Sequence, residues 1–206
     1  MRNSQGTTYF ERSDRNVHYW ATRRFVGPDV ADRIQKSAII ICPWEGFRDY
    51  NGPVFPVGTE SFYGYLRNHA PEVIDVEIAV DDSEYTEVAL HGALVIVGSV
   101  LIVLGTGIGL PVVASLISDS IKARFPKMFG RPDRDDRIRI QISVEEGDRV
   151  ISATIEAPPA LFEDSLSSAF AKIEGDNIID AEWFDASSPP AERHGSNFAG
   201  KESDND

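Results

Sequence analysis

The stretch VALHGALVIVGSVLIVLGTGIGLPVVASLIS, residues 88–118, decides what kind of protein this is. It carries no formal charge when His91 is neutral, and nothing else in the chain is comparably apolar. Uninterrupted apolar runs of about 18 or more residues are typical of helices that cross a bilayer, because hydrocarbon does not solvate charge. The run therefore predicts a membrane segment, with a helix from about residue 93 to residue 117.

Three placements of this run stay open from the sequence. The basic residues that follow it favour a single span with the carboxyl-terminal part in the cytoplasm. The joint GTGIGLP, residues 105–111, would instead allow a re-entrant hairpin, in which Gly105 and Gly109 form a GxxxG pair for helix packing and homo-oligomer formation. The third placement is a buried helix of a soluble domain, because residues 112–125 are amphipathic.

The composition argues against several classes of partner. The 206 residues contain 20 Lys and Arg against 33 Asp and Glu, which gives a formal net charge of −13. Nucleic-acid binding depends on neutralising phosphate with basic side chains, so we expect no nucleic-acid partner. A single cysteine, Cys42, excludes an intramolecular disulfide, and the 4 histidines show no metal-ligand spacing. We therefore expect no bound metal.

The first 87 residues predict a mixed α/β domain. Residues 8–12 and 17–22 are aromatic and β-branched, which indicates two short strands. Residues 37–42, SAIIIC, predict a buried strand, and residues 73–80 alternate apolar and polar side chains as a half-buried strand does. Two short helices are also predicted, one over residues 28–36 and one over residues 60–69, each before one of these two strands.

A long loop, residues 43–58, follows the strand that ends at Cys42. Its sequence, PWEGFRDYNGPVFPVG, contains three prolines, three glycines and four aromatic residues. Long loops in compact domains are often functional, and α/β proteins bind ligands at strand ends. We predict ligand or partner contacts for the charged and aromatic side chains at its start: Trp44, Glu45, Phe47, Arg48, Asp49 and Tyr50. The alternative is that the rings only fix the loop and that Arg48 pairs with a carboxylate.

Residues 137–173 predict a ββα module behind a basic linker, residues 127–136. RIRIQISV and RVISATIE alternate strictly on either side of the turn EEGD, as in a β-hairpin. Pro158 and Pro159 then begin a helix whose apolar residues recur at a spacing of three to four.

The acidic tail, residues 174–206, is predicted to be disordered from about residue 186, because it is too polar to form a core. Its segment NIIDAEWFD places Trp183 and Phe184 among acidic residues. We predict partner contacts for these two rings.

The glycines of the apolar run match part of a dinucleotide-binding fingerprint. Gly105 and Gly107 fit G-x-G-x-x-G, but Leu110 occupies the third glycine position, and no acidic residue ends a strand at the expected distance. We therefore expect no nucleotide cofactor. Cys42 lies in an apolar strand, where a lone thiol is typical of a buried hydrophobe and not of a nucleophile.

Residues 95–173 contain an apolar helix, a basic connector, an alternating hairpin and an amphipathic helix in that order, with IEAPPALFEDSLSSAF at the end of the hairpin. This order of elements resembles the effector-associated constant component domains of bacterial conflict systems. The resemblance implies a small module that couples an effector to its partners. It assigns no catalytic position.

These features together predict an α+β (mixed α/β) protein that is attached to a membrane and is not an enzyme. We expect an adaptor with an amino-terminal domain, residues 1–87, an apolar membrane segment, residues 88–126, and a cytoplasmic ββα module. Its protein partners would contact the aromatic loop and the tail. The alternative is a soluble, cytoplasmic α/β enzyme or ligand-binding domain whose site is the loop 43–58.

Overall fold

The computed structural model describes residues 6–89, 94–105, 109–130 and 136–175. These residues form eight strands, six α-helices and one short 3-10 helix. In chain order they are β1 (Thr7–Ser13), α1 (Val17–Ala21), α2 (Pro28–Ile34), β2 (Ile39–Cys42), β3 (Phe55–Pro56), α3 (Thr59–His69), β4 (Val76–Ile78), the 3-10 helix (Asp82–Glu84), β5 (Glu87–Val88), β6 (Leu94–Val103), α4 (Leu110–Arg124), α5 (Pro126–Gly130), β7 (Arg137–Glu146), β8 (Arg149–Ala157) and α6 (Pro159–Glu174).

Six of the strands form one mixed sheet in the order β1-β8-β7-β6-β2-β4. The pairs β6–β7 and β2–β4 are parallel, and the other neighbouring pairs are antiparallel. The two remaining strands, β3 and β5, pair with each other in parallel. Since β1 pairs with β8, strands from the two ends of the described chain are neighbours in the sheet.

The centre of the apolar run is a strand and not a transmembrane helix. Leu94–Val103 forms β6, which is hydrogen-bonded to β2 on one side and to β7 on the other. Val97 and residues 100–102 of this central strand are buried, and because successive side chains point to opposite faces, the sequence of β6 lacks a polar face. The predicted glycine-rich membrane helix is therefore wrong. Within the described ranges, no helix is both long and apolar enough to cross a bilayer.

The two glycines of the GxxxG pair lie at different ends of two elements, one after β6 and one before α4. Gly105 follows β6 with a φ of 104°, and Gly109 is the N-cap residue of α4. They do not lie together on a helix face, so the predicted helix packing through them is wrong. The amphipathic helix predicted over residues 112–125 is confirmed as α4, which packs against α3 and α6.

One face of the sheet is covered by helices. Alternate residues of β7, from Ile138 to Val144, are buried on this face, and the residues opposite them on β8 point to the same side. Helix α6 packs across β8, β7 and β1 here. The predicted hairpin and the helix that follows it are therefore confirmed.

The second face of the sheet is covered over one half only. Helix α2 packs against β4, where Arg33 forms an ion pair with Glu77, and Trp20 of α1 and Ile34 of α2 join the core on this side. The half formed by β1, β8, β7 and the start of β6 carries polar side chains. We call it the polar face and define it by Tyr9, Glu11, Ser99, Arg139, Gln141, Thr154 and Glu156.

Residues 17–21 form helix α1, so the strand predicted over residues 17–22 is wrong. The side chain of Asn16 caps the helix by accepting the N–H of Tyr19 at 2.8 Å. Glu145, near the end of β7, accepts the N–H of Val17 at 2.7 Å. The cap and this long-range carboxylate satisfy two N–H groups that a short helix leaves without an intrahelical partner.

Replacing Glu145 tests the balance between burial and hydrogen bonding at this contact. Burial raises the pKa of Glu145 above 4.5, although the Val17 N–H opposes the rise. A group whose pKa is raised on folding costs stability while it is ionised, and this cost disappears as the pH falls through the folded-state pKa. Glu145→Gln keeps an acceptor without the charge. We expect its Tm to match or exceed that of the wild type at about pH 7, and the difference to move in favour of the wild type towards about pH 5.

Thermal unfolding followed by circular dichroism measures this difference, and Glu146→Gln, an exposed neighbour with the same change of charge, is the control. A Tm for Glu145→Gln well below that of the wild type at neutral pH, or a Tm difference that does not move in favour of the wild type on acidification, would contradict the expectation.

Candidate functional site

The loop 43–58 folds back on itself. Trp44 and Val54 form an antiparallel bridge, with N–H···O distances of 2.9 and 3.1 Å. Within the loop, the N–H of Tyr50 donates to the carbonyl of Phe47 at 3.1 Å. Arg48 has a φ of 52°, in the left-handed region that residues other than glycine rarely adopt. The loop is therefore a defined structure with its own hydrogen bonds.

Three aromatic rings of the loop follow one another in space. The ring centroids of Trp44 and Phe47 are 5.2 Å apart, and those of Phe47 and Tyr50 are 6.5 Å apart. The Arg48 guanidinium lies 5.0 Å from the Phe47 centroid, and Asp49 is exposed. Among the described contacts, the Arg48 guanidinium packs on the Phe47 ring and does not pair with a carboxylate. The ion pair that was the sequence-based alternative for Arg48 is therefore not seen among these contacts.

Glu45 is a charged loop residue whose side chain is hydrogen-bonded to residues outside the loop. Its carboxylate accepts hydrogen bonds from the Tyr19 hydroxyl and the Arg23 guanidinium, and Arg23 lies over the Tyr19 ring at 4.6 Å. The next residue, Arg24, donates to the carbonyl of Asn51 at 2.7 Å. Burial and, after it, the Glu45 carboxylate raise the pKa of Tyr19. Two consecutive arginines after α1 therefore bind the two arms of the loop.

The carboxyl end of the loop is fixed at the start of α3. Glu87 accepts the N–H of Gly58 at 2.8 Å, the N–H of Glu60 at 3.0 Å and the Tyr85 hydroxyl at 2.7 Å. Burial favours the neutral acid, but these donors outweigh it and lower the pKa of Glu87. The Arg124 guanidinium donates to the Val57 carbonyl beside it.

Trp44 and Phe47 face the sheet across a groove of about 330 Å³. The groove lies on the polar face, over β6, β7 and β8. Its lining combines two aromatic rings with an aliphatic side chain and three polar ones: Trp44, Phe47, Ile96, Gly98, Arg139, Gln141 and Thr154.

A β-bulge forms part of the groove. The pairing of β6 with β7 shifts between Ile96 and Gly98, and Gly98 has a φ of 124°. This conformation is open to glycine and strained for any residue with a Cβ atom. Gly98 therefore allows the strand to change register beneath the aromatic loop.

A row of polar side chains crosses the sheet at the groove. Gln141 lies opposite Ser99 on one neighbouring strand and opposite Thr154 on the other. Its Oε1 accepts the Ser99 hydroxyl at 3.1 Å, and its Nε2 donates to Glu11 at 3.3 Å. These two bonds fix the orientation of the amide in the groove.

Arg139 presents an oriented guanidinium at the other end of the groove. Its Nε and Nη2 atoms donate to Glu156, the first at 2.9 Å. In the part of the chain that the structure describes, the Arg139 Nη1 group and the Thr154 hydroxyl have no hydrogen-bond partner. Both donors therefore remain for a bound molecule.

A larger cavity of about 420 Å³ lies beside β4 and the ends of α2 and α3. It has no aromatic wall, and its three cations are matched by three carboxylates: Arg33, Lys36 and Arg67 with Glu72, Asp75 and Glu77. Arg33 and Glu77 already pair with each other. The groove on the polar face is therefore the stronger candidate, although it is smaller.

The residues predicted from the sequence as ligand or partner contacts occupy different places in the structure. Trp44 and Phe47 line the groove, and Glu45 fixes the loop. Arg48, Asp49 and Tyr50 are exposed and are not part of the groove lining. Trp183 and Phe184 lie outside the described residues. Cys42 is buried, and burial raises the pKa of its thiol. No group of metal-ligating side chains occurs among the described residues.

Sequence reasoning missed the sheet side of the groove. Arg139 and Gln141 are the polar positions of the alternating strand RIRIQISV, and Thr154 holds the same position on its hairpin partner. Alternation alone marks such residues as facing away from the core. The aromatic loop above them is brought there only by tertiary structure.

Comparison of the chain with protein-family models, with curated proteins and with solved structures found no match. The resemblance of residues 95–173 to effector-associated constant component domains stays a prediction.

Proposed function

We propose that this protein is a ligand-binding domain and that its site is the groove between the aromatic loop and the polar face. The observation that carries the proposal is a wall of two adjacent rings, Trp44 and Phe47, opposite two hydrogen-bond donors that have no described partner, Arg139 Nη1 and the Thr154 hydroxyl. Small-molecule sites combine apolar and aromatic walls with a few convergent polar groups in this way.

The chemistry of the groove selects a ligand with two parts. The rings of Trp44 and Phe47 favour a flat unsaturated group that stacks on them or meets them edge to face. Arg139 and Thr154 favour an oxygen acceptor, either a carboxylate or a carbonyl. Glu156 pairs with both Arg139 and Arg137, and its two hydrogen bonds with Arg139 orient that guanidinium towards an acceptor. We infer a small aromatic acid or carbonyl compound as the ligand.

The groove is also held in shape before a ligand enters. The loop that carries Trp44 is fixed through Glu45 to α1 and through Asn51 to Arg24. The amide of Gln141 is fixed by Ser99 and Glu11. A site that is ordered in advance spends less binding free energy on immobilising its own side chains. These contacts therefore support a binding role for the groove.

Titration with benzoate and with indole-3-acetate tests the proposal by NMR. We expect the ligands to shift the indole N–H signal of Trp44 and the amide signals of Gly98 and Gln141, with Trp44 assigned from a Trp44→Phe variant. Trp44→Ala and Arg139→Ala are expected to weaken binding by roughly tenfold, about 1.4 kcal/mol, because each removes one of the two parts of the site.

Arg67→Ala is the matched control for the loss of a cation, because Arg67 lies on α3 away from the groove. Equal weakening by Arg67→Ala, or shifts that avoid the groove residues, would overturn the assignment of the site.

A second prediction concerns the attachment of the loop. Glu45→Ala removes the acceptor of Tyr19 and Arg23 without removing any residue that lines the groove. We expect the variant to stay folded and to bind the same probes several-fold more weakly, because the Trp44 and Phe47 rings lose their fixed position.

Glu45→Gln keeps an acceptor and is expected to recover part of the affinity. Faster amide hydrogen exchange at Phe47 and Tyr50 in Glu45→Ala would report the loosened loop. Unchanged exchange and unchanged affinity would show that Glu45 has no part in positioning the loop.

An adaptor role is the second candidate, and the outer side of the loop favours it. Tyr50 is 47% exposed, and the exposed Arg48 lies over the Phe47 ring. Tyrosine and arginine are common at the energetic centres of protein interfaces. Arg48→Ala and Tyr50→Ala separate the two candidates, because they remove a protein-contact surface and leave the lining of the groove intact. Probe binding that survives both substitutions supports the groove, whereas loss of probe binding with either one would place the ligand on the outer rings.

A further inference from the structure

The end of helix α6 lies level with the groove, on the opposite face of the sheet. The ammonium of Lys172, in the last turn of the helix, lies 5.6 Å from the centroid of the Phe10 ring. Phe10 pairs with Ala153, the residue before Thr154, which lines the groove. Since successive residues of a strand point to opposite faces, Phe10 and Thr154 point to different sides of the sheet. The chain that follows α6 therefore starts near the groove and is separated from it by the sheet.

The segment after α6 carries the two chemical groups that the groove selects. Residues 176–185, DNIIDAEWFD, contain two aromatic rings, four carboxylates and no basic side chain. In an extended chain, residues two apart point to the same side and lie about 6.6 Å from each other. Trp183 and Asp185 would then present one flat ring and one carboxylate to the same surface. This is the combination inferred for the ligand.

We propose, on the premise that the groove is a ligand site, that segment 183–185 of the same chain binds in it and competes with the ligand. The Trp183 ring takes the place of the flat part of the ligand, and the Asp185 carboxylate takes the place of its acceptor. A molecule from solution must then displace the segment before it binds. The acidic tail is therefore an autoinhibitory element of the site.

The walls of the groove fit both side chains. The ring centroids of Trp44 and Phe47 are 5.2 Å apart, and the two rings offer a third one an offset or edge-to-face contact. Arg139 Nη1 and the Thr154 hydroxyl, which have no hydrogen-bond partner within the described ranges, can both donate to one carboxylate. A hydrogen bond between a guanidinium and a carboxylate is stronger than one between neutral groups. Asp185 therefore suits this end of the groove.

The connection to Trp183 is long enough when the chain is extended. A path from α6 around β1 to the groove crosses the depth of a helix layer and the sheet and then two strand spacings of about 4.8 Å each, which amounts to roughly 25 Å. Eight residues, from 176 to 183, span at most about 26–29 Å. The path needs space beside β1 but no hydrogen bond from that strand, whose Arg12 has an interaction of its own.

The charges around the groove favour a weak, reversible contact. Glu156 already pairs with Arg139, and Glu11 accepts a hydrogen bond from Gln141 beside the groove. These two carboxylates repel the other acidic residues of the segment. The covalent connection offsets this repulsion, because a short tether gives an effective concentration on the order of millimolar. A contact with an intrinsic Kd of about 1 mM would then fill about half of the grooves.

The rest of the acidic tail matches the groove less well and supplies a control. Phe198 is the only Phe, Tyr or Trp residue after Phe184, and its neighbours Asn197 and Ala199 carry no charge. No carboxylate lies within three residues of it. Phe198→Ala therefore removes a ring from the same tail and leaves the pair of Trp183 and Asp185 intact.

NMR of the full-length chain tests the occupant of the groove, at first without any probe. We expect Trp183→Ala to shift the amide signals of Gly98 and Gln141, because the ring leaves the groove, and Phe198→Ala to leave them unchanged. Indole-3-acetate is then expected to bind Trp183→Ala about twofold more tightly than it binds the wild type, since grooves that the segment had filled become free.

Asp185→Asn tests the second half of the contact. It keeps an acceptor but removes the charge, so we expect a smaller shift at Gly98 and Gln141 than in Trp183→Ala. Asp204→Asn, the same change near the end of the tail, should behave as the wild type. Equal behaviour of the two Asp→Asn variants would overturn the role of Asp185.

The outcomes separate the tail contact from the ligand site itself. Unchanged Gly98 and Gln141 signals and unchanged probe affinity in Trp183→Ala, with the probe still shifting both signals, would overturn the tail contact and leave the ligand site standing. A probe that shifts neither signal in either protein would overturn the ligand site, whereas the comparison without probe still decides the tail contact. Differences between the two proteins that disappear on dilution from about 0.5 to about 0.05 mM would place the segment in the groove of a second copy and would overturn the contact within one chain.

Discussion

The pairing of β6 on both sides is the constraint on which the rest of the structure depends. β6 bonds to β2 through residues 99–102 and to β7 along nearly its whole length. It therefore joins the amino-terminal strands to the hairpin in one sheet. Because β2 ends opposite Ser99, the aromatic loop leaves the sheet beside the first half of β6, where the bulge at Gly98 lies. The position of the groove follows from this register.

The same constraint explains why the sequence suggested a membrane helix. Strand β6, the glycine-containing segment 104–109 and the buried side of α4 follow one another in the sequence, and all three are apolar. The hydropathy profile therefore shows one continuous apolar run and gives no sign of the turn at Gly105. Periodicity cannot separate a buried strand from a buried helix, although the many valines and isoleucines of β6 favour the strand. The hairpin was predictable because β7 shows one face to the core and alternates accordingly.

The candidate site was predictable on one side only. The loop was recognisable from its aromatic, proline and glycine content, and two of its six predicted contact residues, Trp44 and Phe47, line the groove. Arg139, Gln141 and Thr154 were not recognisable, since polar positions of a half-buried hairpin normally face solvent. Because residues 17–22 were predicted as a strand, the position of the loop relative to the sheet could not be predicted either. Folded as helix α1, these residues pack against α2 beside the polar face, and the groove stays open.

Helix α1 connects these features, because it is bonded to the sheet at one end and to the loop at the other. Glu145 of β7 accepts the first N–H of the helix, and Tyr19 and Arg23 donate to Glu45 of the loop. A helix of five residues has little stability of its own, so tertiary contacts must hold it in place. Partly buried charges such as Glu45 contribute less to net stability than their number suggests, since desolvation offsets the attraction. Their stronger effect is to select one loop position, and that position places Trp44 and Phe47 over the donors of the polar face.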